Sequence, residues 1–189
     1  MNKTHINKEF RNRDFTKLNL HGDEFENCKF TDCNFLGCDL SNLNYTDCTF
    51  DDCNLTLAKL DSTDLKNIVF KSCKIIGINF SKCNKLLFSV NFEKCILNNS
   101  SFFKQNLKKT NFINCQIEET SFIECNLTNS DFTGSCLTKT VFQKTILKHA
   151  DFSSAEKFSI DPEANNVYKA KFSITGLRGL LSRHDIIVK

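Results

Sequence analysis

Eleven cysteines and four histidines are the side chains of this chain best able to hold a metal, attack an electrophile or cross-link. Their spacing argues against all three. No C-x-x-C pair occurs, and the recurrent interval is C-x4-C, as at Cys28, Cys33 and Cys38. That is neither a zinc nor a redox spacing. His5, His21, His149 and His184 fall at termini or at positions expected to face outward, with no nucleophile or carboxylate constellation around them. No glycine-rich phosphate loop is present, and Asp51-Asp52 reads as a surface pair rather than a cleft. The expectation is a non-enzymatic protein with no catalytic, cofactor or metal residues.

The cysteines acquire meaning from the elements that must position them. Large apolar residues recur at every fifth position: Phe10, Phe15, Leu20, Phe25, Phe30, Phe35, Leu40, Tyr45, Phe50 and onward to Phe80. After a shift of two residues the beat resumes at Leu87 and Phe92 and runs to Phe152. If each of these is position i, position i−2 is mostly small, as in Cys28, Cys33, Cys53, Ala58, Thr63, Cys73, Cys95, Ser100, Thr120 and Ser130. A period of five suits neither a helix of 3.6 residues per turn nor a strand of period two, because either would wet much of the apolar set. The backbone must turn a corner about every five residues so that i and i−2 share one interior. Such a chain is a solenoid.

Sorting the same residues by twenty gives Phe10, Phe30, Phe50, Phe70, Phe92, Phe112, Phe132, Phe152 and Phe172, a column of phenylalanine alone. A second column reads Leu20, Leu40, Leu60, Phe80, Phe102, Phe122 and Phe142. Four-sided coils of twenty residues, stacked about 4.8 Å apart, account for both columns. Residues 10–152 then make roughly seven coils, a rod about 35 Å long. Stacked thiols at that spacing suit disulfide geometry badly, so the cysteines read as small apolar fillers in a reducing cytosol. Cys136, at i−1, is the exception that should face outward. Lys8, Arg13 and Asp23 fall at nominally inward positions, so the first coil is expected to fray or open to solvent.

Units such as Cys28-Lys-Phe-Thr-Asp32, Cys33-Asn-Phe-Leu-Gly37, Cys53-Asn-Leu-Thr-Leu57 and Ala150-Asp-Phe-Ser-Ser154 resemble the pentapeptide-repeat motif, A/C/S/T-D/N-L/F-polar-polar. The resemblance covers most of the chain. It implies an all-β, right-handed quadrilateral β-helix, often with a C-terminal helix that mediates dimers. The best-understood members of that family are quinolone-resistance and topoisomerase-modulating proteins, taken to mimic B-DNA and to bind gyrase or topoisomerase IV. This chain departs from them in lacking long interrupting loops and in a net charge of +3.

Charge is banded along the predicted rod. Residues 21–65 carry Asp23, Glu24, Glu26, Asp32, Asp39, Asp47, Asp51, Asp52, Asp61 and Asp64 against Lys29 and Lys59. Residues 66–109 carry Lys66, Lys71, Lys74, Lys82, Lys85, Lys94, Lys104, Lys108 and Lys109 against Glu93 alone, and 110–138 are acidic again. Asp32 and Asp52 should stack in one outward column with Asp51 beside them, a like-charge ladder that could stand in for a phosphate row. Asp32, Asp39, Asp47, Asp51 and Asp52 are therefore the expected partner-binding band, with a solvated face as the structural alternative. The lysine band lacks arginine and free aromatic rings, so direct nucleic-acid binding is not expected. Opposite bands on one rod can also pair two copies side by side.

Two interruptions remain. The two-residue shift is expected as a bulge near residues 84–86, with Leu87 returning to the column of Phe25, Tyr45 and Leu65. After Phe152 the beat fades; Lys157 and Pro162 would be central before Val167 and Phe172 restore it. The division expected is a β-helix over 1–174 and a capping segment over 175–189. In that segment Thr175 is a candidate N-cap, and Leu177, Leu180 and Leu181 lie on one helical face, to cover the last coil or to form a homodimer. Residues 186–188 are expected as a strand. No apolar run reaches the roughly 20 residues of a membrane span, and the first residues lack the apolar core of a secretory signal. The expectation is a cytoplasmic protein with no membrane contact.

Overall fold

The computed structural model describes residues 3–184 and 186, apart from 19 and 21. The chain winds as a parallel β-solenoid of about eight turns with one short C-terminal helix. Strands Thr4–Ile6, Glu24–Glu26, Asn44–Thr46 and Asp64–Lys66 form a parallel sheet along the first side. Glu9–Arg11, Lys29–Thr31, Thr49–Asp51, Ile68–Lys71, Val90–Glu93 and Phe112–Ile113 form a six-stranded sheet along the second. Single-residue bridges such as Asn34↔Asn54 and Asp39↔Lys59 tie the third and fourth sides, again twenty residues apart.

The corners explain how the fold manages with six glycines and one proline. A left-handed residue stands at i+2 of nearly every five: Asn7, Asn12, Asn27, Asp32, Asn42, Asp47 and Asp52 all have φ of 50–60°. Asn and Asp tolerate that conformation better than most residues. The corner N–H then bonds the coil above, as Asp32 does to the Asp51 carbonyl at 3.0 Å.

The interior is a set of stacked rings. Phe10, Phe30, Phe50, Phe70, Phe92, Phe112, Phe132, Phe152 and Phe172 stack in sequence with centroids 4.6–5.4 Å apart. Neighbouring sides meet edge to face, as Phe30 meets Phe25 and Phe35. Offset stacks and T-shaped contacts are the two favourable aromatic arrangements.

Several expectations require correction. Leu87 does not return to the interior: Leu86 and Leu87 are 82% and 63% exposed, and Phe88, 8% exposed, takes the inner position. Three residues, 85–87, are extruded, and one corner residue is then missing, because the Ile68 N–H bonds the Ser89 carbonyl and Ile68 pairs with Val90. Three gained and one lost give the shift of two seen in the sequence. At the far end Phe158 and Ile160 fill the interior where Lys157 and Pro162 were expected. His5 is not outward but stacks on Phe25 at 4.7 Å. Asp23, expected at a fraying end, is buried, accepting from the Lys3 N–H at 2.9 Å and lying 3.3 Å from His5 Nε2. Lys8 and Arg13 are exposed, as a first coil open to solvent requires.

The cap differs too. Thr175 lies inside a 3-10 turn (Thr175–Leu177) that leads into helix Arg178–Leu181, and the Ser173 hydroxyl, not Thr175, accepts the Gly176 N–H at 3.0 Å. Gly176 and Gly179 sit on Phe158, where an added Cβ would come within 2.6–2.9 Å of its ring. Leu180 packs on the core; Leu177 and Leu181 are 45% and 36% exposed. The strand expected at 186–188 and His21 fall outside the described residues in whole or part.

Candidate partner-binding surface

The acidic band is built by the strands and corners of the first two sides. Glu24, Glu26 and Asp64 stand on the first-side strands, Asp47 at the corner between the sides, Asp51 on the second, and Asp32 and Asp52 at its far corner. Asp32, Asp47 and Asp52 are exposed, Asp51 half-buried. Asp39 is not part of this surface. It flanks Leu40 on the fourth side, opposite the Phe30 column, and its carboxylate accepts the Ser41 N–H at 3.0 Å.

Local partners temper the charge. Lys29 Nζ lies 3.4 Å from the Asp51 carboxylate. The Asn67 amide donates to Asp47 at 2.7 Å and the Asn84 amide to Asp64 at 2.8 Å, so amides take the places where carboxylates would otherwise stack. Among the described residues Asp32 and Asp52 have no such amide, and they follow one another at successive corners. Three of the five predicted residues, Asp32, Asp47 and Asp52, therefore also hold left-handed corners, a structural task that was visible in their i+2 spacing.

The thiols have a task that sequence reasoning missed. Cys33, Cys48, Cys53, Cys73 and Cys95 donate to the carbonyl of residue 10, 25, 30, 50 and 70 respectively, at 3.4–3.5 Å. Thr120, Ser130 and Ser135 do the same to Leu97, Leu107 and Phe112 at 2.7–2.8 Å. Position i−2 asks for a small donor as well as a small volume, and the interchange of Cys with Ser and Thr was the signal. Burial pushes the Cys38 thiol up to about 11 and those of Cys48, Cys83 and Cys125 up to about 12. Cys83 is inward, and Cys136 is the one cysteine not fully buried.

Among the described residues no cluster of three or more His, Cys, Asp or Glu is arranged to hold a metal, and no helix is long and apolar enough to cross a membrane. A concavity near the first coil is lined by Phe15, Leu18, Gly37, Cys38 and Asp39, and burial holds the Cys38 thiol protonated.

A square solenoid whose interior repeats Phe or Leu every five residues defines a class, and the sequence comparison names it. The family model described as the pentapeptide repeat region matches residues 23–86 and 85–157, and the chain belongs to the pentapeptide-repeat family. Among solved structures it is similar to a trypsin-treated variant of QnrB1, a plasmid-mediated fluoroquinolone resistance protein, with a TM-score of 0.74, 17% identity and 100% of each chain covered. A second such variant gives a TM-score of 0.63 at 18% identity, covering 98% of this chain and 100% of that one. HetL, involved in heterocyst differentiation regulation in Nostoc sp. strain PCC 7120, gives 0.53 at 13% identity over 92% of this chain and 88% of its own. At these identities the likeness shows the fold alone. A comparison with curated protein sequences finds no significant match.

Proposed function

We propose that this chain is a non-enzymatic, cytoplasmic protein-binding solenoid that mimics duplex DNA toward a type II topoisomerase, gyrase or topoisomerase IV. The carrying observation is the run of Glu24, Glu26, Asp32, Asp47, Asp51, Asp52 and Asp64 along two adjoining sides of one end of a rod. Duplex DNA offers its partners a dense row of negative charge, and carboxylates on coils about 4.8 Å apart offer a comparable one. The fluoroquinolone-resistance role of QnrB1 and the fold it shares with this chain support the reading. The lysines beyond residue 65 give docking a polarity: the acidic end enters the cationic groove while the basic coils stay outside. Leu177 and Leu181 stay available for a homodimer through the C-terminal segment.

The test is a gyrase and topoisomerase IV supercoiling and relaxation assay with and without a quinolone. A shift in inhibition or protection is expected, lost in the triple variant Asp32→Lys, Asp51→Lys, Asp52→Lys with its circular dichroism intact. No effect at stoichiometric excess overturns the reading and leaves a scaffold protein of another partner.

A further inference from the structure

The second side presents its charges in an order that fits a second copy of the same side. Its outward row reads Arg11, Thr31, Asp51, Lys71, Glu93, Ile113, one residue per coil. The corner row beside it runs through Asp32, Asp52, Ser72 and Lys94, all left-handed and each hydrogen-bonded to the coil above. We infer that two copies associate weakly, antiparallel and face to face through this side, about a two-fold axis midway between Asp51 and Lys71.

A two-fold axis across the rod maps each row onto itself with its direction reversed, so the contact is self-complementary. With the axis placed there, Asp51 of each copy faces Lys71 of the other and Asp32 faces Lys94. Thr31 meets Glu93, Asp52 meets Ser72, and Thr49 and Val69 meet at the centre. No like charges oppose. Moving the axis half a coil toward the N-terminus sets Asp51 against Asp51 and Asp52 against Asp52. Moving it half a coil the other way sets Lys71 against Lys71 and Asp51 against Glu93. Like charges held opposite one another disfavour both. A full coil toward the C-terminus would set Lys71 against Glu93, but would leave Asp51 against Ile113 and take Lys94 away from Asp32. Lys71 and Asp32 have no ion pair of their own among the described residues, whereas Lys29 already neighbours Asp51 and Lys94 lies 3.8 Å from Glu93.

The face is small. Six coils about 4.8 Å apart and three residues wide cover roughly 300 Å² per copy, well under the roughly 800 Å² per partner of a stable interface. The association is therefore transient and salt-sensitive, because exposed pairs are screened at physiological ionic strength. It also covers Asp32 and Asp51, so self-association and any partner of the acidic band exclude each other.

Sedimentation velocity of the purified full chain, without any topoisomerase, tests this separately from the proposed function. A concentration-dependent dimer is expected at low salt, weakened about tenfold or more in 0.3 M NaCl. Asp51→Lys, which faces Lys71 of the other copy, is expected to weaken it about tenfold, as is Lys71→Asp. The double exchange Asp51→Lys with Lys71→Asp restores opposite charges and is expected to recover association to within about threefold. A monomer throughout at low salt overturns the inference, as does a dimer indifferent to salt. So does a folded double-exchange variant that fails to recover, or a dimer abolished by Leu177→Glu with Leu181→Glu, which would assign the contact to the cap.

Discussion

The coils before the extruded loop at 85–87 and the coils after it solve the same geometric problem with different side chains. Before the loop, aromatic rings line mainly three adjoining sides: His5, Phe25 and Tyr45; Phe10 to Phe70; Phe15 and Phe35, with Phe80 alone on the fourth. After it they line mainly two opposite sides, and Phe102, Phe122 and Phe142 meet Phe112, Phe132 and Phe152 edge to face across the core. The inner donor is mostly a thiol before the loop and mostly a hydroxyl after it. The corners pass from Asn and Asp to Lys and Glu, such as Lys104, Lys109, Glu119 and Glu124. Outer charges change likewise: ion pairs between coils become more frequent after the loop, as in Lys104–Glu124, Lys139–Glu119 and Lys171–Asp151, beside Lys29–Asp51 before it. The difference teaches that the fold demands volume and a donor at fixed places and leaves the outer chemistry free. The unspent acidity lies in the first half.

Five substitutions sharpen or break that comparison, the largest first. Phe70→Ala empties the stack between Phe50 and Phe92 and is expected to cost about 3–5 kcal/mol in denaturant unfolding; a loss under 1 kcal/mol would mean that the stacks do not carry stability. Ser130→Ala removes the 2.7 Å bond to the Leu107 carbonyl and is expected to cost about 1–2 kcal/mol. Cys73→Ser keeps a donor to Phe50 and should cost less, under about 1 kcal/mol; the reverse order would deny the donors their role. Tyr45 buries a hydroxyl that has no hydrogen-bond partner among the described residues, so Tyr45→Phe is expected to raise stability by about 1 kcal/mol. Lys109 holds φ at 59°, and Lys109→Asn, which fits that corner better, is expected to add about 0.5 kcal/mol. A loss there on thermal unfolding would show that the lysine has packing of its own.

Most of this architecture was legible because a five-residue beat leaves few alternatives: Phe30 through Phe152 occupy the column their spacing assigns. What escaped were places where two adjustments overlap. Leu87 and Phe88 are both apolar neighbours, and only the missing corner decides between them. Phe158 and Ile160 stand one residue after and two before the strict beat, so a rigid count passes them by. The cap misled because helical spacing marks apolar residues, whereas contact with Phe158 is made by glycines, which carry no apolar signal. The acidic band was half legible. Its members are plain in the sequence, but the side each faces depends on the register, and that register sends Asp39 to the far side.

The loop that exchanges three residues for a corner has a practical consequence. Strand pairing along the second side continues unbroken from Ile68–Lys71 to Val90–Glu93 beside it, so the winding does not feel what happens at its tip. A foreign peptide spliced between Leu86 and Leu87 should ride outside the rod like a flag on a mast, making this the natural port for a tag or a fluorophore.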